Sequence, residues 1–237
     1  MPGTPANSAV TRSTLSRQIA DALRDEVLAG RLQSGQEFTV KQIAEQYGVS
    51  ATPVREALVE LCAQGLLDSD QHRGFRVHRF SVADYRAMVE ARMLVVDGIF
   101  RRHAPRERAP LPEPDTGIGV VLVSIRRRGE AAARAARAGD LDVLIGYDLR
   151  YWHELGRLVA RNEPIADFLH RLRVQAWVFS VPYLRAEREL HGWLWSGHVE
   201  LIDAVTRGDA EAAVGVVRAY NAHSLEWADR LEARIGR

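Results

Sequence analysis

The sequence predicts a mainly α protein: three helices closed by a two-stranded wing, then an all-α helical bundle of six to seven helices. Three observations carry that expectation. Apolar residues recur at helical spacing through almost the whole chain after Ser81. Before it, the period breaks once, at Leu66-Leu67 and Phe75–His78, which read as two short strands joined by the polar loop Asp68 to Gly74. The length, 237 residues, suits two modest domains. The expected division is a flexible tail over 1–12, a first domain over 13–80 and a second over 81–237.

The tail is rich in Pro, Gly, Ser, Thr and Ala and lacks the basic start and apolar core of an export signal. From Leu15 the residues Ile19, Leu23 and Val27 repeat every four positions, one face of an amphipathic helix that Gly30 stops. Short helices follow at about 40–47 and 52–64, separated by Gly48 and ended by Gly65. Further helices are expected at about 82–103, 118–138, 140–161, 164–188, 190–206 and 209–234, with Pro105 to Pro114 as a loop. Gly139-Asp140 and Gly208-Asp209 pair a glycine stop with an acidic cap for the next helix. Pro182 should bend the helix that contains it and help open space for a ligand.

Composition excludes several classes. With 46% hydrophobic and 27% charged residues, the chain is neither disordered nor collagen-like. A single cysteine, Cys62, forms no internal disulfide or thiolate cluster, which fits a cytoplasmic protein and a small core residue. The longest apolar candidate, Val120 to Ile125, falls far short of the roughly 20 residues that cross a bilayer, so no membrane partner is expected. Net charge is +1, and residues 1–80 hold nine basic and nine acidic side chains, a net of zero. Nucleic-acid binding therefore has to rest on local geometry.

That geometry is present between Val40 and Leu58. Ile43, Tyr47, Val49, Val54 and Ala57 point inward from two short helices, Ala44 sits where they touch, and Gly48 supplies the turn. Ser50 is placed to cap the second helix and Pro53 lies in its first turn. Ala51, Thr52 and Arg55 then face out, with Lys41 nearby, and an exposed helix N-terminus offers N–H groups to phosphate. The loop from His72 to Arg79 packs Arg73, Arg76, Arg79 and two histidines around Gly74, as a wing laid along a sugar-phosphate backbone would. Arg24 and Arg31 reach either phosphate or solvent.

The run Ile19 to Val77, with Gly48-Val49-Ser50-Ala51-Thr52-Pro53-Val54-Arg55-Glu56-Ala57-Leu58, Gly65-Leu66 and Arg73-Gly74, resembles the GntR family of bacterial transcription regulators. The resemblance implies a winged helix-turn-helix in a homodimer that reads a palindromic double-stranded DNA operator. Lys41, Ser50, Thr52, Arg55 and the wing at Gly74 occupy its DNA-contacting positions. Ala51 stands where relatives usually carry arginine, so a methyl that can touch thymine replaces a donor to guanine.

From Ser81 to Arg230 the chain resembles the FadR-like branch, whose FCD-type domain implies a small-molecule effector such as an organic acid, a sugar acid or an acyl ligand. The residues that carry it are Glu90-Ala91-Arg92, Tyr147 to His153, Arg161 to Pro164 and Gly208 to Ala213. The family often binds its effector through a divalent metal, here Zn, Ni, Mn or Fe, for which the resemblance offers Asp148, His153, His198 and His223. Asp148 and His153 lie about 140° apart on an ideal helix, and Tyr220 stands where the last ligand is expected. The other reading is a metal-free pocket. Its wall would include Arg92, Trp152, His153, Trp177, His198, Tyr220 and His223, with Arg92 pairing with a ligand carboxylate and Arg150 a solvated arginine. A regulator without an effector and a metal-dependent enzyme are the competing functions. No metalloprotease motif, phosphate loop or nucleophile elbow supports the enzyme.

Overall fold

The computed structural model describes residues 6–70, 74–103, 117–187, 189–190 and 192–235. Contacts divide the chain into two compact units, Met1–Phe80 and Ser81–Arg237.

The first unit contains α1 (Ala6–Leu28), β1 (Glu37–Phe38), α2 (Val40–Tyr47), α3 (Ala51–Ala63), β2 (Leu67–Asp70) and β3 (Gly74–Val77). Its core joins Ile19, Leu23 and Val27 of α1 to Val54, Ala57, Leu58 and Leu61 of α3, all buried. The strands form one antiparallel sheet in the order β1-β3-β2, with Phe38 opposite Phe75 and Leu67 opposite Val77. Two expectations are corrected. The helix starts at Ala6, inside the segment read as a tail, because no glycine or proline interrupts residues 6–28. The wing also gains a third strand, β1, whose two residues carry no pattern of their own and are defined by their pairing with β3.

The second unit contains α4 (Val82–His103), α5 (Gly117–Ala138), α6 (Leu141–Ala160), α7 (Glu163–Arg185), α8 (His198–Thr206) and α9 (Ala210–Ile235). Helix α5 packs on α6 and α8, α6 on α7, and α4 on α7 and α9. Where α5, α6, α8 and α9 meet lies a buried cluster of Ile125, Tyr151, Leu155, Leu201, Ile202 and Val217. Asp140 and Asn162 cap α6 and α7 through their side chains. Ser81 and Asp84 form a reciprocal cap at the start of α4. Helix α8 begins eight residues later than the sequence suggests. Between α7 and α8 the chain turns at Gly192 (φ 78°), so Trp193, Leu194 and Trp195 pack from an irregular segment. Helix α7 continues through Pro182, which is exposed three residues before its end. The loop expected at Pro105 to Pro114 lies outside the described residues.

Candidate nucleic-acid interface and effector site

In the first unit, Thr39 and Gln42 form a capping box that starts α2. Gly48, at φ 65°, ends it in the left-handed region, and its N–H bonds back toward the last turn. The chain then re-enters a helix at Ser50, whose backbone is extended as an N-cap should be. The sequence predicts that the Ser50 hydroxyl caps α3, but in the structure it makes no such bond. The first-turn N–H groups of α3 are therefore left without a side-chain acceptor. Pro53 and Val54 are buried, whereas Ser50, Ala51, Thr52 and Arg55 are exposed together. Lys41 of α2 joins the same shallow concavity as Ala51 and Arg55, its ammonium 3.8 Å from Glu45.

The wing stands beside this surface in the same unit. Gly74 has φ 93°, and a Cβ there would come within 2.7 Å of the Phe38 carbonyl oxygen, so glycine lets β3 approach β1. Arg76 is exposed and 3.2 Å from Asp68, which also lies 2.7 Å from His78 Nδ1. Burial alone would raise the Asp68 carboxyl, yet the hydrogen bonds from His78 and Arg76 hold it below the usual range. Arg73 lies outside the described residues. Arg24 is tied to Asp21 and Gln64, and Arg31 to Glu26.

The second unit gathers its polar residues around Asp148 on α6, which is 3% exposed. Its carboxylate accepts from Trp152 Nε1 at 3.0 Å, Trp177 Nε1 at 2.8 Å and His198 Nε2 at 2.9 Å. Desolvation pushes this carboxyl up, but the His198 bond and the positive charge of Arg173 outweigh it, so it stays ionised below its ordinary range. Arg173 of α7 lies 3.7 Å from Asp148, donates to the Tyr220 hydroxyl at 2.8 Å and stacks over Trp152 at 4.0 Å. From α4, Arg92 donates to Asn221 Oδ1 at 2.9 Å, with longer contacts to Tyr220 and Ser224. Burial lowers the Arg92 pKa, which still leaves a guanidinium charged. Tyr85 is pushed up to about 12 by burial and so remains a neutral phenol beside it.

Arg92, Trp152, Trp177, His198 and Tyr220 thus gather around Asp148, with Trp177 and Tyr220 lining one cavity beside it and Arg92 and Trp152 another. His153 does not join them and packs edge-on against His170 at 4.4 Å, whereas His223, which donates to the Trp193 carbonyl at 2.8 Å, lines one cavity with Asp148, Arg173, Trp177 and Tyr220. Among the described residues, no group of three or more His, Cys, Asp or Glu side chains converges. The residue one turn beyond Asp148 is Trp152, an indole with no lone pair to give a metal. Both oxygens of Asp148 are engaged by N–H donors, and a guanidinium stands beside them. This donor set does not fit a divalent metal.

Arg173 is the residue that sequence reading missed. Nothing in the α7 pattern separates it from the exposed Arg171, since the side chains it meets, Asp148, Trp152 and Tyr220, come from α6 and α9.

Residues 15–77 match the family model described as bacterial regulatory proteins, gntR family, and residues 120–223 match the FCD domain. A "Probable D-xylose utilization operon transcriptional repressor" of Paenarthrobacter nicotinovorans is 29% identical over 204 residues, 86% of this chain and 84% of the relative. The uncharacterized HTH-type transcriptional regulator YdhC of Bacillus subtilis is 25% identical over 217 residues, 88% of each chain. Among solved structures, Escherichia coli McbR/YncC has the same fold at a TM-score of 0.66 and 19% identity, covering 92% of this chain and 98% of that one.

Proposed function

Because the chain belongs to the GntR family of bacterial regulatory proteins, a DNA-binding unit joined to an FCD domain, we propose that this transcription regulator binds a palindromic operator as a homodimer in the cytoplasm. A small metabolite in the helical unit sets its affinity. The observation that carries the DNA reading is the uncapped start of α3, where Ser50, Thr52 and Arg55 are exposed around free N–H groups. Arg55 reaches a phosphate or the edge of a guanine, and Arg76 on the wing follows the backbone.

The effector reading is supported by the polar cluster around Asp148, which sits between two cavities of about 70 and 60 Å³, both lined by Arg173. We read the site as working without a metal. The reading gives the protein no catalytic step, in keeping with the regulatory family whose models it matches and the regulators it resembles. Regulation by repression is supported by the name of the Paenarthrobacter relative.

The direct test selects bound fragments from genomic DNA with the full chain, then titrates the recovered site with Arg55→Ala. An enriched inverted repeat is expected, with Arg55→Ala weakening it by about 1–3 kcal/mol while the melting temperature is unchanged. No enrichment, or unchanged affinity in the variant, refutes the assignment of this surface.

A further inference from the structure

One side chain on the outward face of α3 has no core to fill. With about 100° of turn per residue, Pro53, Val54, Ala57, Leu58 and Leu61 fall on one side of the helix and are buried. Ala51, Thr52, Arg55, Glu56 and Val59 share the opposite side, an arc of about 140°, and all five are exposed. Val59 lies near the middle of that arc, so its isopropyl group points squarely away from the core. It is 58% exposed, and among the described side chains of residues 15–80 it is the one exposed large apolar group. Local stability does not account for it, since a β-branched residue on an exposed helix surface forms helix less well than alanine.

Its neighbours say what it faces. Arg55 and Val59 are four residues apart, so they adjoin on one face, about 6 Å apart along the axis, which is close to two base steps of 3.4 Å. Ala63, exposed and small, follows one turn later, and Glu56 stands at the edge of the arc, about 60° round from Val59. The stripe beyond Arg55 therefore carries neither bulk nor charge to hold α3 off the floor of a groove about 12 Å wide. Base edges in the major groove are hydrogen-bonding atoms with one apolar exception, the C5 methyl of thymine. An isopropyl group at the centre of this face gains only by meeting that methyl, which leaves water on contact as the isopropyl does.

Resting on the reading that α3 enters the major groove, we infer that Val59 is a specificity-determining residue, whose isopropyl group covers the C5 methyl of a thymine about two base pairs from the base that Arg55 contacts. The thymine is chosen there by its methyl group, without a hydrogen bond. The contact also extends the reading surface of α3 past its first turn, so the helix lies along the groove and does not touch it with its N-terminus alone.

The test uses the full chain and the operator recovered from genomic DNA, with each thymine replaced in turn, in both half-sites at once, by uracil. Uracil lacks only the C5 methyl and keeps every hydrogen-bonding edge. At one thymine per half-site the replacement weakens binding by about 3- to 10-fold, the effect of returning about one methyl group to water. Val59→Ala weakens binding to the unmodified operator by a similar factor. On the operator carrying uracil at that thymine, the same variant changes affinity by less than about two-fold, because both changes remove one contact. Its melting temperature matches that of the parent, as an exposed substitution should. If uracil has no effect at any thymine while the operator still binds, the inference is overturned and the DNA reading stands. A uracil effect that keeps its full size in Val59→Ala also overturns it, because the methyl contact then belongs to Ala51 or Thr52. If no fragment is enriched from genomic DNA, the DNA reading itself fails and this inference falls with it.

Discussion

Asp148 accepts three N–H donors from three different elements, and that load explains why a carboxylate remains charged at 3% exposure. Its folded pKa lies below the unfolded value of about 4, so the stability it contributes is present above that value and is lost as pH falls through the folded one. Asp148→Asn should cost about 3 kcal/mol at pH 7, since it uncouples Arg173 and His198 from their charge. Melting curves for both proteins between pH 7 and pH 3 check the sign: the gap closes on the acid side. A gap that stays constant would mean the carboxylate charge contributes nothing. The sequence shows Asp148 and His198 as candidates, but it misplaces their neighbour. The family resemblance offered His153, which the five-residue spacing already set about 140° from Asp148, whereas the indole of Trp152, at four residues, is the side chain that reaches back to Asp148. Arg173 was invisible because its role depends on what α6 and α9 bring over it, which no local pattern records.

At the level of elements, legibility follows how local the forces are. Helices α2, α3 and α4 could be placed from glycine stops, caps and spacing because each begins and ends on its own signals. The start of α8 could not, since the aromatic run before it keeps an apolar texture while its backbone turns at Gly192 to pack the two indoles. Strand β1 exists only through β3. The two caps of the helix-turn-helix give a prediction with opposite outcomes. Thr39 accepts from Gln42 N–H within a full capping box, whereas Ser50 caps nothing. Thr39→Ala should therefore lower stability by about 1 kcal/mol, a typical cap loss. Ser50→Ala should leave thermal stability nearly unchanged and weaken DNA binding, because its hydroxyl faces outward at the helix start. Paired measurements of melting temperature and operator affinity separate the two. A large stability loss in Ser50→Ala would return that hydroxyl to a capping role.

For the whole molecule, the constraint is how little DNA one α3 can read. A single recognition helix covers a few base pairs, and a genome offers far too many such sites, so useful specificity needs two helices spaced about one turn of duplex apart. A dimer needs an apolar surface free to be covered. Helix α5 supplies one: Val120, Val121 and Val123 are 68%, 40% and 46% exposed, an unusual concentration of large apolar side chains on one turn. If this turn lies in the interface, Val120→Asp combined with Val123→Asp buries two unpaired charges there and should yield monomers by light scattering, with the helical content intact. The consequence for DNA is quantitative. The slope of log affinity against log salt counts neutralised phosphates, so losing one of two reading heads should roughly halve it, while affinity drops steeply. A double variant that remains dimeric would place the interface elsewhere on the helical unit. One that becomes monomeric yet keeps the full salt slope would show that a single head makes all the phosphate contacts, which the two-head account forbids.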